Sequence, residues 1–208
     1  MTSGYLLLAL LWAAYCAVHS ALISISVTSF FKTVLAGRYR FYRLSFNLFS
    51  IITLIPLVVY SHSERFNSEP LFAWTGYWEI VRYSLVGLGV ILVVGGARHY
   101  SMFQFLGISQ IRKEAARSAM TESGDLDDKG VLGLVRHPWY VAVFILIWTN
   151  DLNAAAITVN LVLSAYLIVG TLLEERKLVI EFGEEYRRYQ ERVSMFIPLK
   201  WLTARRPR

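Results

Sequence analysis

An uncharged apolar run from Tyr5 to Phe31 constrains this chain more than any other feature, because the first formally charged residue is Lys32. A helix over that run is long enough to cross a hydrocarbon core of roughly 30 Å. The run lacks a basic n-region and is too long for a secretory signal, so it reads as a retained transmembrane helix. Further apolar stretches run from about Leu44 to Tyr60, Trp78 to Ala97, Tyr140 to Leu152 and Ala154 to Leu173. The composition agrees: 55% of the 208 residues are hydrophobic and 17% charged, which excludes a disordered chain. The expected fold is an all-α integral membrane protein of about five transmembrane helices, closed by a C-terminal amphipathic cytoplasmic helix.

The charges that interrupt these stretches set the expected topology. Lys32, Arg38, Arg40 and Arg43 fill the first gap, and the second, around Glu64, Arg65 and Glu69, is nearly neutral. Arg98, Arg112, Lys113, Arg117, Lys129 and Arg136 fill the third gap. The tail carries Arg176, Lys177, Arg187, Arg188, Arg192, Lys200, Arg205, Arg206 and Arg208. By the positive-inside rule the N-terminus is outside and the C-terminus cytoplasmic. A formal net charge of +6 raises the question of nucleic acid, but its placement between apolar stretches fits membrane topology better. The expected partner is therefore the lipid bilayer and not nucleic acid. The single Cys16 excludes an intrachain disulfide, and no cysteine–histidine cluster suggests a metal.

These boundaries divide a single membrane domain, 1–208, into three N-terminal spans (1–97), a cytoplasmic connector (98–138) and a hairpin with its tail (139–208). The fourth stretch is too short to cross a bilayer, so it either dips as a tight hairpin or its helix starts earlier. Pro138 suits the first turn of a helix, where its missing N–H costs nothing, and the start is placed there. Trp74 and Trp78 suit the outer interface and Trp201 the inner one. Gly87, Gly89, Gly95 and Gly96 in the third span read as close helix packing rather than as a phosphate loop.

Two clusters could carry chemistry. Arg136 and His137 stand at the mouth of the fourth span, Glu174 and Glu175 at the mouth of the fifth. A hairpin would bring them within reach of one ligand. Helix neighbours point roughly 100° apart, so one glutamate at most faces the site squarely, and Glu175 is favoured. The competing reading makes these residues ordinary membrane anchors and helix-end acids. Beyond Glu174, Leu178, Phe182, Tyr186, Tyr189 and Val193 share one stripe of an amphipathic helix. Gly183 within it marks either a close approach or a break in the helix. His19 is an intramembrane ionisable residue, hence a functional candidate by default; the alternative is a neutral histidine bonded to a neighbouring helix. The segment from His99 to Gln110 walls a ligand pocket or forms an interfacial turn.

The order Arg136-His137-Pro138-Trp139-Tyr140, an apolar hairpin, Glu174-Glu175-Arg176-Lys177-Leu178, Phe182-Gly183-Glu184-Glu185-Tyr186-Arg187-Arg188-Tyr189 and Pro198 resembles the isoprenylcysteine carboxyl methyltransferase superfamily of membrane methyltransferases. Phe105-Leu106-Gly107-Ile108-Ser109-Gln110, Trp148 and Leu173-Glu174-Glu175-Arg176 are similar to its methanethiol S-methyltransferase branch. Val18-His19-Ser20 resembles that branch and the NnrU-like membrane proteins. The chain departs from the branch at Gln104, where an acidic residue is usual nearby, at Ser109 in place of arginine, and at Ala142 in place of glycine.

The resemblance implies S-adenosylmethionine as methyl donor, bound on the cytoplasmic side without a soluble-type Rossmann domain, in a bacterial inner-membrane protein. It implies catalytic roles for Arg136, His137 and Glu175. It implies cofactor binding by Gln110, Val135, Arg136, His137, Tyr140, Glu174, Glu175, Tyr186 and Tyr189, and substrate contacts from His19 and Gln104. Arg136 would pair the donor's carboxylate, Glu175 would accept from its amino group or ribose, and the tyrosines would pack on adenine or face the sulfonium. The implied acceptor is a small thiol, methanethiol giving dimethyl sulfide, or a lipophilic group such as prenylcysteine or a membrane lipid. Alternatives of other classes are an NnrU-like haem-binding isomerase with His19 on iron, a sterol-reductase-like NADPH enzyme and a structural membrane protein.

Overall fold

The computed structural model describes residues 2–99, 102–112 and 128–204. Ten α-helices lie in these residues: α1 (Thr2–Ile23), α2 (Ile25–Leu35), α3 (Tyr42–Ser61), α4 (Tyr77–Ala97), α5 (Met102–Leu106), α6 (Ile108–Ile111), α7 (Pro138–Trp148), α8 (Ala154–Phe182), α9 (Glu184–Arg192) and α10 (Leu199–Ala204). The β-structure among the described residues consists of isolated bridges. This is an all-α integral membrane protein. Four segments, Ser3–Ile23, Ile25–Ser61, Tyr77–Ala97 and Ala154–Phe182, are long and apolar enough to cross a membrane. The fourth apolar stretch is the 11-residue α7 with Pro138 in its first turn, as its sequence led one to expect. At ~1.5 Å per residue it reaches only about 16 Å, half a hydrocarbon core.

Two boundaries differ from the sequence reading, each for a local reason. The first apolar run is broken at Ser24, whose backbone is extended and whose hydroxyl accepts from the Val27 N–H at 3.3 Å. Ser24 thus caps a new helix, and apolarity alone carried no sign of it. The tail helix does not begin after Glu174; α8, 29 residues long from Ala154, runs on to Phe182. That is about 43 Å, so its last turns overshoot a core of roughly 30 Å. The break comes at Gly183, with φ +58° and open space where a Cβ would stand. The positive φ, not a close approach, therefore requires glycine there.

The chain forms two compact units, with the boundary inside α8. The first comprises residues 2–73, 102–112 and 151–166. Its core buries Leu8, Trp12, Leu57, Phe66, Ala155 and Val159. Trp12 Nε1 donates to Ser61 Oγ at 2.9 Å, joining α1 to α3. Arg43 Nε and Asn47 Nδ2 both donate to the Phe105 carbonyl, at 3.0 and 3.1 Å, which ties α5 to α3. The second unit comprises residues 74–99, 128–150 and 167–204. In it α4 packs along α7. A Cβ on Gly96 would lie 2.5 Å from Trp139 Nε1, and that indole N–H donates to the Val93 carbonyl at 3.0 Å. Gly89, Gly95 and Gly96 therefore serve close packing, whereas a Cβ on Gly87 would meet open space, so the packing reading fails there. At the other end, Leu178 of α8 packs with Tyr186, Tyr189 and Val193. The apolar stripe read from the sequence is real, but it folds back across the Gly183 break instead of following one helix.

Candidate functional site

The second unit gathers the paired motifs around one carboxylate. Arg136 and His137 lie just before α7, Glu175 two residues beyond the apolar stretch of α8, and Tyr186 and Gln190 on α9. Tyr186 and Gln190 are four residues apart and so share a helix face. The segment before α7 is held to the tail by backbone bonds: Arg136 N donates to Ser194 O at 2.9 Å and His137 N to Met195 O at 3.3 Å. Val135 and Ser194 pair as a parallel bridge, with the Val135 side chain buried. Tyr189 locks the same corner by donating its hydroxyl to the Leu132 carbonyl at 2.6 Å.

Glu175 is the focus. Its side chain accepts from Arg136 Nε at 2.9 Å and Arg136 Nη2 at 2.7 Å, a bidentate ion pair. His137 Nε2 lies 2.7 Å from Oε1, and the Tyr186 hydroxyl donates to the same oxygen at 2.7 Å. Gln190 Nε2 donates to Oε2 at 2.5 Å. An ionised carboxylate has no hydrogen to offer, so His137 carries its proton on Nε2 and donates. Arg136, His137 and Glu175 are 7%, 2% and 6% exposed, so the whole charge cluster is withdrawn from water. Such a cluster persists only because donors and acceptors match. Burial alone would lower the Arg136 pKa; the hydrogen bonds and charge of Glu175 outweigh it and raise the value above the usual one. Burial raises the Tyr186 phenol, and its bond to the Glu175 carboxylate raises it further.

The structure decides between the two glutamates. Glu175 meets Arg136 and His137, whereas Glu174 Oε2 lies 3.8 Å from His137 Nδ1. That Glu174 oxygen is buried and has no hydrogen-bond partner among the described residues. Arg136 uses its bidentate edge on Glu175 and donates through Nη1 to the carbonyls of Val193 and Gln190. Tyr140 stands edge-on to His137 with ring centroids 5.5 Å apart. Val135, Arg136, His137, Tyr140, Glu174, Glu175, Tyr186 and Tyr189 thus share this unit. Gln190 was missed by sequence reasoning, although its position one turn after Tyr186 was a usable signal.

The remaining candidates fall in the first unit. Gln110 is half-buried on α6. The Gln104 side chain lies outside the described residues. His19 Nδ1 is 3.2 Å from Ser50 Oγ on α3, the bond to a neighbouring helix that was the plainer of its two readings. Its ring lies among those of Phe46, Tyr15 and Tyr166, at 4.9, 6.0 and 6.2 Å.

Fold and site together define an integral membrane protein whose buried Arg–His–Glu cluster is built around the C-terminal part of the long apolar helix α8. In sequence the chain is similar to methanethiol S-methyltransferases, as the motifs suggested. It is 34% identical to the one from Pseudomonas deceptionensis over 114 residues, 54% of this chain and 42% of that protein. It is 31% identical to the one from Crocosphaera subtropica over 121 residues, 58% of this chain and 47% of that protein. The one from Mycobacterium tuberculosis is 26% identical over 120 residues, 57% of this chain and 49% of that protein. The chain thus matches less than half the length of these curated relatives. No family model and no solved structure matches it.

Proposed function

We propose that this protein is an S-adenosylmethionine-dependent membrane methyltransferase whose acceptor is a small thiol, with methanethiol as the first candidate and a lipophilic acceptor as the second. The similarity to methanethiol S-methyltransferases carries this reading. The site fits the donor in one respect that does not depend on the relatives. Glu174 keeps a buried carboxylate oxygen with no hydrogen-bond donor among the described residues, and the donor's ammonium is such a group.

When bound, S-adenosylmethionine supplies an electrophilic methyl group on a sulfonium. Glu174 and Tyr140 would hold it, through the free oxygen and the aromatic face, which attracts a sulfonium charge. Glu175 acts as a positioning residue: it fixes the ring of His137 through Nε2 and neutralises Arg136. His137 then presents its other edge toward Glu174. Positioning and exclusion of water supply the rate, because direct displacement at a methyl group needs no covalent protein intermediate. A thiol acceptor reacts as its thiolate. The site is read as cytoplasmic from the basic gaps and tail.

The test is incubation of the purified protein in detergent or nanodiscs with methyl-labelled S-adenosylmethionine and methanethiol, prenylcysteine or lipid extract. Volatile and organic-phase label are counted separately. Volatile label with methanethiol is the expected result. No transfer to any of the three, from protein that is folded by thermal denaturation, would overturn the reading.

A further inference from the structure

The first unit carries a basic elbow between two helices that each cover a membrane core unaided. At ~1.5 Å per residue, the 22 residues of α1 reach about 33 Å and the 20 of α3 about 30 Å, a full hydrocarbon thickness each. The Tyr42 hydroxyl donates to the Leu22 carbonyl at 2.6 Å, so the head of α3 stands beside the end of α1. Residues 24–41 therefore leave and return at one end of both spans. They comprise Ser24, α2 and a 3-10 turn, Ala36–Phe41. With 11 residues, about 16 Å, α2 is too short to cross a bilayer, and it buries none of its side chains. The elbow belongs at the membrane surface.

Its charge is one-sided. Lys32, Arg38, Arg40 and Arg43 fall here, and the first acidic residue of the chain is Glu64. Arg43 is taken by the Phe105 carbonyl, whereas Lys32, Arg38 and Arg40 are exposed. The ion pairs among the described residues involve Arg136, His137, Arg187 and Arg192, and none involves these three. The tail differs: Arg187 lies 3.4 Å from Glu184, and Arg192 3.0 Å from Asp128. The elbow is also shaped. The Arg40 guanidinium sits over the Phe41 ring, 4.8 Å from its centroid, and Tyr39 stacks on Tyr42 at 5.3 Å. Ala36 turns the chain at φ +42°, a conformation that persists only where its surroundings over-determine it. Phe30, Val34 and Phe41 are exposed beside the cations. A topology signal needs charge alone. Cations without counter-ions, on a shaped turn and next to exposed apolar side chains, suit a phosphate carried on acyl chains.

We propose that the elbow of α2 and Ala36–Phe41 is a binding site for an anionic phospholipid. Lys32, Arg38 and Arg40 supply the charge for its headgroup, and Phe30, Val34 and Phe41 lie against its acyl chains. The site stands whether or not the chain transfers methyl groups.

The full chain is purified in a non-ionic detergent and titrated with phosphatidylglycerol or phosphatidylcholine, and bound lipid is counted by native mass spectrometry. The wild type is expected to hold phosphatidylglycerol in preference. Each cation near an anionic surface contributes roughly fivefold, so Lys32→Gln, Arg38→Gln and Arg40→Gln together should weaken phosphatidylglycerol on the order of a hundredfold. Phosphatidylcholine binding should stay within about twofold, as should phosphatidylglycerol binding by the control Arg187→Gln with Arg188→Gln. Equal binding of the two lipids by the wild type overturns the proposal. So does an equal loss in the control, which would trace the preference to net charge alone. Displacement of phosphatidylglycerol by inorganic phosphate at equal concentration would make the elbow a small-anion site and overturn the lipid assignment. If the triple variant does not fold, Arg38→Gln and Arg40→Gln singly should each lose about fivefold, and unchanged affinity in both overturns the site.

Discussion

Each unit holds a polar cluster, half-buried in the first and buried in the second, and the two are satisfied differently. In the first, His19 lies among Phe46, Tyr15 and Tyr166 with one hydrogen-bonding contact among the described residues, to Ser50. In the second, Glu175 accepts from Arg136, His137, Tyr186 and Gln190. A neutral imidazole needs only a partner or two to leave water, whereas a carboxylate needs its charge balanced and its lone pairs filled. The first cluster therefore tolerates apolar neighbours. The second recruits three separate stretches of chain: the lead into α7, the end of α8, and α9. A cluster of the second kind fixes geometry as well as contributing stability.

The contrast can be broken by substitution. Removing the centre of the charged cluster should have the largest effect. Glu175→Ala leaves the Arg136 guanidinium buried without its counter-charge, a loss of about 3–5 kcal/mol. Thermal denaturation in detergent should show it as a large fall in midpoint, with methyl transfer lost. A variant as stable as the wild type would mean the cluster does not organise the unit. Tyr186→Phe removes one donor and keeps the packing. It should cost about 1.5–3 kcal/mol, the range for a hydrogen bond to a charged group. Chemical denaturation measures it, and a lowered midpoint with unchanged slope is the expected result. The smallest effect belongs to the neutral cluster. Ser50→Ala should cost about 0.5–1.5 kcal/mol, since His19 loses a neutral partner. If this variant is as damaging as Tyr186→Phe, the two clusters are not different in kind.

Much of the fold was legible because membrane spans announce themselves by apolarity alone. α3 and α4 fall within a few residues of their apolar stretches, and Pro138 marked the start of α7. Ser24 and Gly183 were harder. A single serine in an apolar run either bonds back within its helix or caps a new one, and the run does not say which. Gly183 left a choice between close approach and a break, and only its positive φ resolves it. The Glu174–Glu175 pair was similar: helix geometry said that one residue would face the site, and the facing partners settled it.

By itself, then, the sequence determined a helical membrane protein with charged motifs at the ends of its last two apolar stretches, because hydrophobic length and charge position are local properties. Tertiary structure alone decided that Glu175, not Glu174, is the carboxylate paired with Arg136, and that Gln190 completes its shell. It also decided that Arg136 is occupied by the protein itself. A buried charge takes its partners from wherever the chain converges, and convergence is not written in spacing along the chain.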